Sequence, residues 1–341
     1  MAGPVSVAIL GLGRMGRLLA RVMVRYVADL RIAALADPLP GRAEEVGGEL
    51  GVGGAAAYED PEAALVCPEL EACVVAAPTA RHHDIVRRAL RMGLHVFCEK
   101  PLGLDPDEDE RLGAEGEACG LTLQVGFWRR FSPPWITARQ LLRDGAIGRP
   151  LFLRMSQWDA SLPPPAFHDI AVSGGIIVDC GIHEFDLVEW LTRQRIVRVE
   201  GHALPLAHPE LEGTGDLDNA IVVAHLDGGE VAVVDLSRNA GYANDIRSEI
   251  LGSSGAVFVE TVPSGRACVA TSAGVRELET GTARDAMQTG IARELTAFAA
   301  AVRGAGNGVP GARESARALR VAQAAVRSTV TGRPEPVPDP G

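Results

Sequence analysis

The sequence predicts an α/β chain of two domains, in which a parallel sheet covered by helices precedes an α+β domain with a mostly antiparallel, open sheet. Three observations support this fold class. The 341 residues exceed the size that one hydrophobic core usually serves. In the first part of the chain, short apolar runs alternate with helix-period segments, as in a parallel sheet covered on both faces. Beyond Gly126 longer strands follow one another, with the alternating pattern of a half-solvated sheet.

Five strands and four helices are predicted in the first domain, residues 1–126. The strands are nearly continuous apolar runs, which is typical of strands buried on both faces. The helices space their apolar residues so that each presents one apolar face. The strands are Val5–Leu10, Arg31–Ala36, Ala72–Ala76, His95–Cys98 and Thr122–Val125, and the helices are Arg14–Val27, Arg42–Leu50, Ala80–Met92 and Asp105–Cys119.

The second domain is predicted to span residues 127–341 and to bind substrate and a second copy of the chain. Asp227-Gly228-Gly229, between two alternating strands, indicates a hairpin. The tail from Gly332 is rich in proline, and we expect it to be poorly ordered. The two closing helices could also pack back on the first domain. The helices are Trp135–Arg143, Ile182–Leu191, Ala286–Val302 and Glu314–Thr331, and the strands are Leu151–Trp158, Val197–Ala203, Asn219–Leu226, Glu230–Leu236, Ile246–Leu251 and Ala256–Val262.

The composition argues against several classes of partner. The formal net charge of −11 disfavours nucleic acid and anionic membranes. No apolar run approaches the roughly 18 residues of a membrane-spanning helix, and the start of the chain lacks the charged region of a signal peptide. The six cysteines include no CxxC pair, so we expect reduced thiols and no metal site. The expectation is a cytoplasmic protein that binds small molecules.

A glycine-rich turn joins the first predicted strand to the first predicted helix. It reads Gly11-Leu12-Gly13-Arg14-Met15-Gly16. In such a turn the first glycine permits the bend, the second lets the backbone approach a pyrophosphate, and the third lets helix and strand pack closely. Free N–H groups at the helix N-terminus then favour phosphate oxygens. The motif and its position predict a Rossmann dinucleotide-binding domain in which these six residues bind the cofactor.

Asp37 ends the second strand, 21 residues beyond Gly16. A carboxylate at this place accepts hydrogen bonds from the adenosine ribose and repels a 2′-phosphate. Pro38 follows and has no N–H to donate to a phosphate. NAD is therefore predicted as the cofactor in preference to NADP. Arg42 is the residue that could reverse this preference, and an ordinary loop cap is the alternative role of Asp37.

Lys100 stands out by composition and by position. Of the 33 basic residues, 32 are arginine and Lys100 is the one lysine. Lysine can be tuned to lose its proton, whereas arginine cannot. Lys100 lies at the end of the predicted strand that begins at His95, and ligands of such sheets bind beyond the carboxyl ends of the strands. The sequence predicts Lys100 as a catalytic residue that also contacts cofactor and substrate, with a structural lysine as the alternative.

A second polar cluster follows a glycine pair in the second domain. Asp179 and His183 are four residues apart, and Asp186 comes three residues later. A helix that begins near Cys180 would project all three to similar sides of its first turns. Taken singly, Asp179 could be an N-cap and His183 a core histidine. Taken together with Lys100, Asp179 and His183 predict a catalytic group.

Several motifs together resemble the Gfo/Idh/MocA oxidoreductase family, in order and spacing, over nearly the whole chain. The segment from Gly126 to Phe131, Gly-Phe-Trp-Arg-Arg-Phe, further resembles the inositol dehydrogenase branch, and Tyr242 falls where that branch places a tyrosine near substrate. The motifs that carry the family resemblance are the glycine-rich turn, Ala76-Ala77-Pro78-Thr79 with His82, Glu99-Lys100-Pro101, and Gly174-Gly175 followed by Asp179, His183 and Asp186.

The resemblance implies a reaction and roles for these residues. The reaction is NAD-dependent oxidation of a ring secondary hydroxyl of a cyclitol, myo-inositol or a related inositol or aminocyclitol, to a ketone. Lys100 would hydrogen-bond the reacting hydroxyl, His183 would take its proton, and Asp179 would orient this pair. Further residues are implied at the substrate, Trp128, Arg129, Gln157, Trp158 and Tyr242, and along the cofactor, Pro78, Thr79, His82 and Glu99.

Departures from the branch leave the exact substrate open. Trp128 stands where a smaller methionine is frequent, and Cys180 stands where threonine is common. The strand end Gln157-Trp158-Asp159 stands where the branch would be expected to have a strand end that contains histidine or asparagine. Because a tryptophan reshapes the pocket, a deoxy- or aminocyclitol or a pyranose sugar is an alternative substrate. The role of His168 is open.

Two further functions and an assembly complete the expectations. An NAD-assisted glycosidase would oxidise a sugar transiently, and a non-catalytic NAD sensor would bind the cofactor without turnover. The set of Lys100, Asp179 and His183 favours the dehydrogenase over the sensor. The resemblance also implies a homodimer or homotetramer through the C-terminal sheet, whose Val- and Ile-rich open face invites burial.

Overall fold

The protein divides into two compact units in a computed structural model that describes residues 3–260, 262, 266–278, 283–306 and 308–339. The first unit comprises Met1–Phe127 and Ile291–Ala316, and the second comprises Trp128–Gly290 and Arg317–Gly341. The first unit therefore takes in parts of the two closing helices. The assignment of one domain to cofactor and the other to substrate stays a prediction.

The first unit contains the predicted parallel sheet. Its six strands follow the order β3-β2-β1-β4-β5-β6, and all neighbouring strands are parallel. The predicted Rossmann fold is confirmed. The elements are β1 Val5–Leu10, α1 Arg14–Tyr26, β2 Leu30–Ala36, α2 Arg42–Leu50, β3 Ala56–Tyr58, α3 Pro61–Ala64, β4 Ala72–Val75, α4 His82–Arg91, β5 His95–Glu99, α5 Pro106–Ala118 and β6 Leu123–Gly126.

Two elements of this unit, β3 and α3, are not among those predicted from the sequence. They have three and four residues, which is too short for a hydrophobic period to be visible. The chain passes from β1 to β2 on one side of the sheet, while β4 pairs with β1 on the other side. This switch point between β1 and β4 is where open parallel sheets bind their ligands.

The second unit is built on a nine-stranded sheet. The order of its strands is β14-β13-β12-β11-β7-β10-β9-β8-β15. The elements that complete the chain are α6 Pro133–Arg143, β7 Pro150–Trp158, α7 Ile170–Ser173, α8 Gly175–Asp179, α9 Gly181–Thr192, β8 Ile196–Leu204, β9 Asn219–Leu226, β10 Val231–Ser237, β11 Asp245–Gly252, β12 Gly255–Glu260, β13 Arg266–Thr271, β14 Gly274–Leu278, α10 Ala283–Val302, α11 Ala312–Thr331 and β15 Glu335–Pro336.

The pairing in this sheet is antiparallel except between β7 and β10, which confirms the predicted mostly antiparallel sheet. The predicted hairpin at residues 227–229 joins β9 to β10. β7 and β10 are parallel, so their carboxyl ends lie next to each other. Asp159 and Arg238, the residues that directly follow these strands, are therefore neighbours. The N–H of Asp159 donates to the carbonyl of Ser237 at 2.8 Å. This edge carries the candidate substrate residues.

The expectation of a poorly ordered tail is wrong for the described residues beyond Gly332. Residues Glu335–Pro336 pair with β8, and the N–H of Val337 donates to the carbonyl of Val197 at 2.9 Å. Val337 is buried. The edge of a sheet offers unpaired backbone groups to any extended segment, and a proline-rich composition does not reveal that partner.

The last two helices contribute to both units. In the first unit, Phe298 of α10 meets Phe97 of β5 edge to face, with ring centroids 5.9 Å apart. The N–H of Val125 in β6 donates to the carbonyl of Pro310 at 2.8 Å. Across the described ranges, none of the helices has the length and apolar character that crossing a membrane requires.

Candidate functional site

The glycine-rich turn after β1 has the geometry that the motif predicts. Gly11 has a φ of +93°, and a Cβ built on it would lie 2.6 Å from the carbonyl oxygen of Ala76. A Cβ on Gly16 would lie 1.9 Å from the carbonyl oxygen of Gly11. Both positions therefore exclude any side chain. A Cβ on Gly13 would meet nothing within 4 Å, so the turn leaves open space over its middle glycine.

The N-terminus of α1 is bare of side-chain caps. Its N-cap residue is Gly13, and its first turn contains no acidic residue. By contrast, Asp105 caps α5 and accepts from the N–H of Asp107 at 3.0 Å. Gly13 and Arg14 are exposed and Met15 is half-buried, whereas Leu12 is buried. The exposed N–H groups and the positive end of the helix dipole suit a diphosphate.

Asp37 is buried at the end of β2 and organises the same turn. Its Oδ2 accepts from the N–H of Leu12 at 2.8 Å, and its Oδ1 accepts from the N–H of Leu39 at 3.0 Å. A carboxylate has about four acceptor positions, so capacity is left for ribose hydroxyls. Arg42 Nη1 lies 3.9 Å from Asp37 Oδ1. Arg42 thus faces the carboxylate that disfavours a 2′-phosphate, which supports the preference for NAD over NADP.

The segment after β4 presents one predicted cofactor residue and buries the next two. Pro78 is exposed, whereas Thr79 and His82 are buried. His82 Nδ1 lies 2.8 Å from the carbonyl oxygen of Pro101, and its Nε2 lies 2.8 Å from that of Ala77. Both ring nitrogens are thereby engaged by backbone, so His82 ties the segment after β4 to the segment after β5. Its predicted place along the cofactor is an indirect one.

Lys100 follows β5, at the edge where β1 and β4 also end. The buried side chain of Glu99 turns back, and its Oε2 accepts from the N–H of Lys100 at 3.3 Å. The same carboxylate lies against Gly126 of β6, where a Cβ would be 3.2 Å from Oε2. Glu99 therefore shapes the backbone beneath Lys100. The first unit thus gathers the glycine turn, Asp37, Pro78 and Lys100 at one edge, and together these residues fit a dinucleotide.

In the second unit, Asp179 and His183 lie on two helices that nearly join. Asp179 is the last residue of α8, Cys180 separates the helices, and His183 lies in the first turn of α9. The N-cap residue of α9 is Cys180, whose side chain makes no capping hydrogen bond. Asp179 is therefore not the N-cap of α9. Its side chain is one-third exposed, and its Oδ2 lies 3.8 Å from Arg238 Nη2.

The expectation that Asp179, His183 and Asp186 project to similar sides stays a prediction, and the structure shows the partner of Asp186. That carboxylate forms a two-point ion pair with Arg130, with Arg130 Nε 2.8 Å from its Oδ2. His183 instead faces Trp128, whose ring centroid lies 6.4 Å from its own at an interplanar angle of 73°. The break between α8 and α9 changes the spacing that a single continuous helix would give.

Arg129 lies inside the second unit, with 2% of its surface exposed. One end of its guanidinium pairs with Glu184, and Nη2 donates to Gln157 Oε1 at 2.6 Å. The guanidinium also lies 5.7 Å from the ring centroids of Trp128 and Trp135. Arg129 therefore orients Gln157, and its predicted direct contact with a substrate hydroxyl stays a prediction. Burial raises the pKa of Glu184, and Arg129 opposes that by favouring the carboxylate.

Gln157 connects this pair to the residues beside Asp179. Its Nε2 donates to Asp159 Oδ1 at 3.2 Å, and Cys180 Sγ donates to Asp159 Oδ2 at 3.2 Å. Asp159 is half-buried. A chain of hydrogen bonds thus runs from Glu184 to Cys180 and orients an amide and a carboxylate, both of which bind polyol hydroxyls well.

The structure does not bring Trp158 and Tyr242 together with Gln157. Successive residues of a strand point to opposite faces of a sheet, so Trp158 projects away from Gln157. Its Nε1 donates to Asp235, and Arg247 lies 5.5 Å from its ring centroid. Tyr242 is exposed and donates to Asp245 Oδ2 at 2.7 Å. These two aromatic residues form a separate group at the same edge of the sheet.

Several residues of this unit were not singled out from the sequence. They are Asp159, Glu184, Asp216 and Arg238, and their only sequence signal was position at the end of a strand or next to a motif residue. Gly174 and Gly175 have φ values of +78° and +75° at the junction of α7 and α8. Both glycines therefore adopt the left-handed conformation that this turn requires. His168 is buried against the carbonyl of Pro163, 2.9 Å away, and its functional role stays open.

Comparisons with known proteins agree with this arrangement of two halves. Residues 5–127 match the family described as an oxidoreductase family with an NAD-binding Rossmann fold, and residues 135–258 match the GFO/IDH/MocA C-terminal domain. The chain is 37% identical over 262 residues to the scyllo-inositol 2-dehydrogenase (NAD(+)) of Bacillus subtilis, covering 77% of this chain and 75% of that one. The chain belongs to the Gfo/Idh/MocA oxidoreductase family. Residues 5–127 carry that family's NAD-binding Rossmann fold.

Family members with names of the same kind cover almost the whole chain. The inositol 2-dehydrogenase of Rhizobium meliloti is 32% identical over 96% of this chain and 98% of its own length. The scyllo-inositol dehydrogenase of Lactobacillus casei, solved with NAD(H) and scyllo-inositol, is 25% identical with a TM-score of 0.85, over 98% of this chain and 99% of that one. The myo-inositol 2-dehydrogenase of Lactobacillus plantarum is 27% identical with a TM-score of 0.84, over 98% and 100%.

Proposed function

We propose that this member of the Gfo/Idh/MocA family is an NAD-dependent dehydrogenase that oxidises a ring secondary hydroxyl of a cyclitol to a ketone. The observation that carries the proposal is the place of the only lysine. Lys100 directly follows β5, at the edge where the glycine turn and Asp37 form the proposed dinucleotide cradle. The relatives named as inositol dehydrogenases support a cyclitol substrate, myo-inositol or a related inositol or aminocyclitol.

Each protein group has a defined task in the reaction. Bound NAD supplies the acceptor for the hydride of the alcohol carbon. Lys100 donates a hydrogen bond to the reacting oxygen and favours its alkoxide character. His183 takes the hydroxyl proton, because imidazole is the side chain whose ordinary pKa lies nearest neutrality. Asp179 carries the negative charge that favours the imidazolium so formed.

Hydroxyls that do not react are bound by the edge of the second sheet. Gln157 and Asp159 are the direct candidates, since Arg129 and Glu184 hold the amide in place from within the unit. Trp128 faces His183 and shapes the space next to the base. Trp158, which points to the other face of β7, and the exposed Tyr242 stay predicted substrate residues.

A substrate panel tests the proposal. Purified protein is incubated with inositol isomers, aminocyclitols and aldoses, with NAD and NADP in parallel, and NADH or NADPH formation is followed by absorbance. The expected result is NADH formation with at least one cyclitol and weaker or no reaction with NADP. Preference for aldoses would indicate a pyranose dehydrogenase. Cleavage of nitrophenyl glycosides without net NADH would indicate a glycosidase, and tight NAD binding without turnover would indicate a sensor.

The open face of the second sheet is our proposed contact with another copy of the chain. The covered face of β9 and β10 is apolar and fully buried, as at Val222, Ala224 and Val234. On the open face, Ile221 and Leu251 are each 50% exposed. Apolar side chains on a broad sheet favour association. Light scattering should find a homodimer or homotetramer, and Ile221→Glu should lower its mass. The cytoplasmic location stays a prediction.

A further inference from the structure

Arg238 is a buried cation beside the proposed catalytic carboxylate. It follows β10 directly and has 1% of its surface exposed. Its Nη1 pairs with the carboxylate of Asp216, whose side chain is also 1% exposed. Its Nη2 lies 3.8 Å from Oδ2 of Asp179. One guanidinium thus faces two carboxylates that are far apart in the sequence.

The two carboxylates lie at opposite ends of α8, the five-residue helix that carries Asp179. Asp216 Oδ1 accepts from the N–H of Ile176 in the first turn at 2.8 Å and from the N–H of Leu217 at 2.8 Å. A Cβ on Gly175 would lie 2.9 Å from this oxygen, so the carboxylate occupies the space that glycine leaves. Arg238 and Asp216 together therefore hold both ends of the helix.

The second nitrogen of Arg238 has a specific place in this arrangement. Nη2 is fully buried and makes no hydrogen bond to any described residue. A buried donor without an acceptor is costly, and the carboxylate that faces it is Asp179. A small rotation of Asp179 would complete a charge-assisted hydrogen bond. Burial lowers the pKa of Arg238, but Cys180, Asp216 and Asp179 raise it more, so the cation is permanent.

We propose that Arg238 is a positioning residue of this enzyme, which holds Asp179 as an oriented carboxylate at the end of α8 so that Asp179 can support His183 as the base. The inference rests on the proposed function, because that function gives Asp179 and His183 their roles. Asp216 balances the charge of Arg238 and holds its guanidinium group through Nη1, while Nη2 faces Asp179.

The proposal predicts a change in pH dependence when the cation is removed. The charged and titratable groups beside Asp179 are Arg238 and the adjacent Cys180, with Asp216 and Asp159 one contact further out. Without the Arg238 charge, the pKa of Asp179 rises, and the pKa of His183 rises because imidazolium is no longer opposed by a nearby cation. Both changes move the acid limb of kcat/KM to higher pH, by about one unit.

The test compares Arg238→Gln with Arg238→Lys, which keeps the charge but loses the fork. In Arg238→Gln we expect kcat to fall about tenfold or more, an upward shift of the acid limb, and an unchanged Kd for NAD. Arg238→Lys should lower kcat less than Arg238→Gln does. It should also keep the acid limb of the kcat/KM profile near its wild-type pH. Asp179→Asn should add little to the loss in Arg238→Gln, because the two residues act as one unit. Arg195→Gln, which removes an exposed arginine paired with Glu189, is the matched control.

The ring titration of His183, followed by NMR, keeps this test separate from that of the function. If the wild type oxidises no cyclitol, the proposed reaction fails, but a raised pKa of His183 in Arg238→Gln still supports the positioning role. If Arg238→Gln does not fold, the pair Arg238→Gln with Asp216→Asn removes both buried charges and is judged by the same criteria. A folded variant with an unshifted His183 pKa and wild-type kcat would overturn the proposal.

Discussion

The carboxylate of Asp37 accepts a hydrogen bond from the backbone N–H of Leu12, at a distance of 2.8 Å. This bond joins the end of β2 to the glycine turn after β1, so the residue predicted to discriminate the ribose also fixes the turn predicted to receive the diphosphate. Cofactor choice and cofactor affinity are therefore linked through one side chain.

Asp37→Ser should change the cofactor preference. Removal of the charge relieves the repulsion of a 2′-phosphate and leaves Arg42 free to face it. The ratio of kcat/KM for NADP to that for NAD should rise about tenfold or more. The Kd for NAD should also rise, because the N–H of Leu12 loses its acceptor. Glu44→Ser, which removes an exposed carboxylate in the first turn of α2, should leave the ratio unchanged. An unaltered ratio in Asp37→Ser would remove Asp37 from the ribose site.

Alanine at Gly13 and at Gly16 should have different effects. A Cβ at Gly16 would lie 1.9 Å from a backbone oxygen, so Gly16→Ala should lower Tm strongly or prevent folding. A Cβ at Gly13 meets nothing within 4 Å, so Gly13→Ala should keep Tm within a few degrees. It should nevertheless raise the Kd for NAD, because the methyl group occupies the space over the helix N-terminus. Calorimetry and NAD titration measure the two effects, and normal NAD affinity in Gly13→Ala would contradict the proposed cradle.

Lys100→Arg should abolish most of the activity although it keeps the charge. Arginine cannot match the compact ammonium group or give up a proton near neutral pH. We expect kcat/KM to fall about a hundredfold or more, in the range of lost general acid–base assistance. NAD binding and Tm should change little. Arg21→Lys, the reverse exchange on the exposed face of α1, is the control. Full activity of Lys100→Arg would exclude the proposed role.

The coupling between the buried side chains of Arg129 and Glu184 should be measurable in a double-mutant cycle of unfolding free energies. Removal of one partner leaves an uncompensated buried charge, which costs about 3–5 kcal/mol. Arg129→Met and Glu184→Gln should each lower the free energy of unfolding on this scale, and the double variant should lose less than the sum. Urea unfolding of the four proteins measures the coupling. Additive losses would show that the two side chains do not act as a pair.

Asp218→Asn should destabilise the protein in a pH-dependent way. Burial raises the pKa of Asp218, but hydrogen bonds from the N–H groups of Leu206 and Ala207 lower it below its ordinary value. A lowered pKa in the folded state contributes stability above the unfolded pKa of about 3.9, and that contribution is lost as pH falls through the folded value. The difference in Tm between wild type and variant should therefore be largest near neutral pH and shrink below about pH 4. A constant difference would contradict the assignment.

The sequence by itself determined the first unit in detail. The apolar strands, the glycine turn and Asp37 act through contacts that are local or that follow from one parallel sheet, so the Rossmann fold could be inferred from spacing. The family motifs likewise placed Lys100, Asp179 and His183 at their elements. Only β3 and α3 were too short to leave a period.

Only the tertiary structure decided which polar residues of the second unit meet. Arg129 was expected at the substrate, but Glu184, 55 residues away, draws it into the interior. Trp158 and Gln157 are neighbours in sequence, yet the pleat of β7 sends them to opposite faces. Arg238 reaches Asp179 because α8 packs against β10, and the tail orders because β8 offers an edge. Such contacts join distant segments, and their free energy depends on burial and charge pairing that no local pattern records.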